Sequence, residues 1–77
     1  MKQFLLAGKI IDLDRMVNST MGNPRWRVWL EGDGVTVATT KTNAAIGYQL
    51  SYTDIGSNYH FKAHYTKTGA IVIDGIY

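Results

Sequence analysis

The chain has no cysteine, a single proline and sparse charge: 18% of its 77 residues are Asp, Glu, Lys or Arg. Without cysteine there is no disulfide, no thiolate zinc site and no thiol nucleophile. Eight basic against six acidic residues leave a formal charge of +2, and no run of like charge occurs. Composition alone therefore singles out no polyanionic partner. Long hydrophobic runs are missing too. Lys9 and Asp12 interrupt the apolar stretch near the start of the chain, which leaves neither a signal-peptide core nor a membrane span. The expected setting is cytoplasmic, with no membrane contact. No Ser-His-Asp spacing, phosphate-binding glycine loop or metal motif is present. The chain reads as a binding module and not an enzyme, with no cofactor and no metal.

What is present is aromatic and apolar mass. The sequence is 45% hydrophobic and carries five Tyr, two Trp and two Phe, enough to argue against disorder. Residues 1–77 make one small domain with a modest core. Side chains in most segments alternate with period two, the signature of half-buried strands. The first strand runs from Lys2 to Asp14, with Gly8 marking a bend or bulge. Arg15 to Pro24 is a turn-rich connection. The second strand covers Arg25 to Glu31, and Gly32-Asp33-Gly34 forms a tight hairpin. In the third strand, Val35 to Lys41, Val35 and Val37 face inward and Thr36, Ala38 and Thr40 outward. Residues 42–50 are the one helix-compatible window, capped by Thr42 or Asn43 and weakened by Gly47. The fourth strand, Tyr59 to Thr66, sets Tyr59, Phe61 and Tyr65 in the core against His60, Lys62 and His64 on the surface. The fifth runs from Ala70 to Ile76.

Five strands with one short helix between the third and fourth is the element order of a small all-β, OB-like barrel. An SH3-like barrel and a curved sheet packed on one helix are the alternatives. The expected core is Leu6, Ile10, Trp26, Val28, Leu30, Val37, Phe61, Ile71 and Ile73.

Two resemblances follow from particular residues. Leu6-Ala7-Gly8-Lys9-Ile10, then a glycine-containing loop and an alternating strand, resembles the opening of bacterial single-stranded-DNA-binding proteins and the related primosomal replication protein. The Lys67-Thr68-Gly69 turn and Ile71-Val72-Ile73-Asp74-Gly75-Ile76 look like the close of that group. The chain departs from the group in lacking an acidic tail. Asn18-Ser19-Thr20-Met21-Gly22-Asn23-Pro24-Arg25-Trp26 is similar to small phage and mobile-element proteins, which implies such a source and no activity.

The candidate site is the outward set on strands two and three. Arg25 and Arg27 are placed to hold phosphate and Trp29 to stack on a base, with Thr36 and Thr40 beside them. Lys41 and Lys62 extend the positive surface. Single-stranded nucleic acid is the expected partner. The alternative is a protein-interaction module, a phage-encoded modulator of a host protein or a homodimer, because Trp and Arg dominate interface hot spots. His60 and His64 would lie ~13 Å apart on a strand rising ~3.3 Å per residue. They cannot share a zinc ion bound at about 2 Å, and both are read as surface histidines.

Overall fold

The computed structural model describes residues 2–42 and 44–77. Its elements are β1 (Gln3–Arg15), β2 (Trp26–Glu31), β3 (Val35–Thr40), α1 (Ala44–Leu50), β4 (Asn58–Tyr65) and β5 (Ile71–Ile76). The strands close into one barrel in the order β1-β2-β3-β5-β4. Every neighbouring pair is antiparallel except β3 and β5, which are parallel through Ala38↔Ile71 and Thr40↔Ile73. A closed five-stranded barrel with its helix between β3 and β4 is an OB-like barrel, not an SH3-like one.

β1 closes the barrel. Its first half pairs with β4 and its second with β2, and Lys9 pairs with both Asn58 and Glu31. Gly8 sits at this change of partner. A Cβ there would stand 3.0 Å from the Glu31 carbonyl oxygen and 3.3 Å from the Leu30 Cβ. Its role is thus to let β2 approach. The register shift lies further along β1, between Ile10 and Asp12. A second shift interrupts the β4–β5 ladder and makes Asp74 the extra residue between Ile73 and Gly75.

The core is Ile10, Val28, Leu30, Ala38, Ile46, Leu50, Phe61 and Ile73. Each large apolar side chain here contributes about 1.5–3 kcal/mol. Leu6, Trp26 and Ile71 pack against it half-buried.

β3 corrects the expected pattern. Val35 is 59% and Val37 40% exposed, whereas Ala38 and Thr40 are buried and Thr36 is half-buried. Register explains the inversion. Val28 pairs with Ala38 and Leu30 with Thr36, while Trp29 pairs with Val37. Directly opposed residues in an antiparallel pair share a face. The barrel interior, already holding Val28, Leu30 and Phe61, takes the smaller side chains of β3. Thr40 is tolerated inside because its Oγ1 accepts the Trp26 backbone N–H at 3.0 Å.

The helix is held by the first connection. Trp26 Nε1 donates to the Gly47 carbonyl at 2.9 Å. A Cβ on Gly47 would fall 2.0 Å from the Pro24 carbonyl oxygen. The glycine that weakens the helix in the sequence is therefore the point where the helix meets that connection. Asn43, one of the two expected caps, lies outside the described residues. Tyr65, expected in the core, is 57% exposed at the end of β4 and stacks on Phe4, with ring centroids 4.7 Å apart.

Candidate nucleic-acid interface

The residues expected to form one site fall in separate places. Arg27 and Trp29 do lie on the outer face of β2, but Asp14 engages both. The indole Nε1 of Trp29 donates to Asp14 Oδ2 at 3.0 Å, and Arg27 Nη1 stands 3.8 Å from the same oxygen. Arg25 precedes β2 and turns toward the barrel end, where its Nε donates to the Thr40 carbonyl at 3.4 Å. Thr36 and Thr40 are corrected from outer to inner positions, because the β2–β3 register turns that parity inward. Lys41 and Lys62 meet elsewhere, along a cavity of about 300 Å³ that Asp74 and Tyr77 also line.

Arg15, a further basic residue near the first connection, is structural. Its guanidinium donates to the Met16 carbonyl at 2.8 Å and the Arg25 carbonyl at 3.2 Å, and lies 5.5 Å from the Trp26 ring centroid. It ties the base of the connection shut and covers the indole.

These placements separate charge across the molecule. Lys9, Arg15, Arg25 and Arg27 share the second half of β1, β2 and their connections with Asp12, Asp14, Glu31 and Asp33. Lys9 pairs with Glu31 at 3.7 Å. Of the other four cations, Lys2 precedes β1, Lys41 follows β3, Lys62 is on β4 and Lys67 is in the β4–β5 turn; they line hollows along β1, β4 and β5, in which Asp74 is the one acidic lining residue among the described residues. Among the described residues, none of these four lysines makes an ion pair.

Exposed aromatic rings interleave with them. Tyr65 separates two hollows, one lined by Lys2, Gln3 and Phe4 and the other by His64, Thr66 and Lys67. Further along, the Lys62 ammonium sits 5.6 Å from the Tyr77 ring centroid, and Tyr77 is 66% exposed. Exposed tyrosine rings and lysines without ion pairs thus lie beside one another among the described residues.

His64 is not the free surface residue expected. Its Nδ1 lies 2.7 Å from Asp74 Oδ2, and Gln3 Nε2 donates to that oxygen at 3.1 Å. His60 is exposed, as expected. Among the described residues, no cluster of three or more His, Cys, Asp or Glu could hold a metal ion, and no helix is long and apolar enough to cross a membrane.

Sequence reasoning missed Lys2, Gln3, Phe4, Asp74 and Tyr77. The signal was available in the fourth and fifth strands. Folding that hairpin across the Lys67-Thr68-Gly69 turn brings His64 opposite the Val72–Asp74 segment, and β1 pairing on the far side adds Gln3.

The class that fold and surface define is a small OB-like barrel with one basic, aromatic side and one side of mixed charge. No protein-family model, curated protein or solved structure matches the chain.

Proposed function

We propose that this protein is a binding module for single-stranded nucleic acid, and that the strand tracks along β4, β5 and the first half of β1. One observation carries the reading: among the described residues, Lys2, Lys41, Lys62 and Lys67 are free of ion pairs and alternate with the exposed rings of Tyr65 and Tyr77. Lysines supply sequence-independent binding to phosphate, and each stacked base adds about 1–3 kcal/mol. The Arg27 and Trp29 patch is less suited, because Asp14 and Asp12 set negative charge beside it. Anisotropy titration of a labelled oligothymidine at low and moderate salt tests the reading. Binding that weakens steeply with salt supports it, and no binding at low salt overturns it.

A second reading rests on a different surface. The exposed Val35 and Val37 and the half-buried Trp29 form an apolar strip on the outer face of β2 and β3, bordered by Asp12, Asp14 and Glu31. That strip favours a protein partner, a second copy of this chain included. Sedimentation of the wild type and Val37→Lys over a range of concentrations tests self-association there. An unchanged monomer in both excludes it.

A further inference from the structure

Asp74 combines burial, charge and an unspent acceptor. Its side chain is 8% exposed, and it lines the cavity shared by Gln3, Lys41, Lys62 and Tyr77. Oδ2 takes both protein donors, Gln3 Nε2 and His64 Nδ1. Among the described residues, Oδ1 has no protein partner and no fully buried side-chain oxygen is left unsatisfied, so Oδ1 keeps some accessible surface on a residue that lines the cavity. The two hydrogen bonds on Oδ2 and the β-bulge fix the carboxylate in place.

A fixed carboxylate beside ammonium groups discriminates among nucleobases. Guanine alone presents two adjacent donors, N1–H and the N2 amine, on its Watson–Crick edge, with the O6 acceptor next to them. Adenine and cytosine place a ring-nitrogen acceptor beside their amino group, which a carboxylate repels. Thymine and uracil offer one N–H between two carbonyls. Lysine complements O6, and the exposed ring of Tyr77 gives a base a stacking surface. A cavity of about 300 Å³ lies at the lower end of the range for ligand sites.

We propose that this cavity is a guanine-preferring base subsite, with Asp74 Oδ1 accepting from both donors in a forked hydrogen bond, Lys41 and Lys62 facing O6 and phosphate, and Tyr77 stacking. It rests on the single-stranded nucleic-acid reading for the strand that delivers the base. The test compares oligothymidines carrying one central guanine, hypoxanthine or thymine. Hypoxanthine lacks only the N2 amine. The guanine strand binds about tenfold tighter than the thymine strand, and hypoxanthine forfeits most of that gain. Asp74→Asn abolishes the gain, read as that variant's ratio of guanine-strand to thymine-strand affinity. If circular dichroism shows that this variant does not fold, Tyr77→Ala, at an exposed position, reduces the gain in its place. Equal binding of the three strands by wild-type protein overturns the subsite and leaves the broader reading standing. If no strand binds, the broader reading fails, and a titration with GMP and IMP followed by amide chemical shifts decides the subsite alone. Shifts at Asp74 and Tyr77 that are larger with GMP sustain it; none with either nucleotide overturns it.

Discussion

Asp14 shows how one side chain redirects a functional reading. Its carboxylate takes the indole N–H of Trp29 and faces the Arg27 guanidinium. Two groups that look available in the alternation of β2 are therefore occupied. Gly47 and Thr40 make the same point for stability. Gly47→Ala gains helix propensity of up to about 1 kcal/mol, but its Cβ would lie 2.0 Å from the Pro24 carbonyl oxygen. The clash dominates, and chemical denaturation should show a net loss of about 1–3 kcal/mol. A variant as stable as wild type would mean that the helix does not press on the first connection. Thr40→Val keeps the shape and removes the acceptor of the Trp26 N–H. An orphaned buried donor costs about 1–3 kcal/mol, again read as a shift in the unfolding midpoint.

At the scale of elements, β3 separates what the sequence makes legible from what it hides. Strand existence, the two hairpins and the lone helix were readable, because period-two alternation and turn residues are local signals. The faces of β3 were not, because Val35 and Val37 are more apolar than Thr36, Ala38 and Thr40, and hydrophobicity alone points them inward. Pairing with β2 decides otherwise, and pairing is not local. The same holds for the basic face. Lys2, Lys41, Lys62 and Lys67 are dispersed along the chain and come to neighbouring hollows only once β3, β5, β4 and β1 are joined. The outer position of Arg27 and Trp29 was legible; their tie to Asp14 needed the β1–β2 register. The inversion of β3 is testable. Ile73→Ala, at a fully buried position on neighbouring β5, should cost about 2–5 kcal/mol. Val37→Thr should stay within about 0.5 kcal/mol of wild type. A large destabilisation by Val37→Thr would return that side chain to the core.

Over the whole molecule, the barrel converts a nearly neutral composition into a two-sided particle. One side mixes Lys9, Arg15, Arg25 and Arg27 with four carboxylates; the other carries, among the described residues, four lysines without ion pairs and the hydrogen-bonded Asp74, while the sixth carboxylate, Asp54, lies in the connection between α1 and β4. A formal charge of +2 conceals this, since net charge says nothing of distribution. The strand order sets β4 apart from β2 and β3, so the Trp29–Val37 strip lies on different strands from Lys62 and Tyr65. If nucleic acid binds the lysine side as proposed, the slope of log affinity against log salt reports it. For oligothymidine, Lys62→Ala combined with Lys67→Ala should weaken binding and lower the slope by about 0.7 for each phosphate no longer neutralised, while Arg27→Ala leaves both nearly unchanged. A slope that falls with Arg27→Ala and survives the double lysine replacement would contradict the account and return the strand to the β2–β3 face.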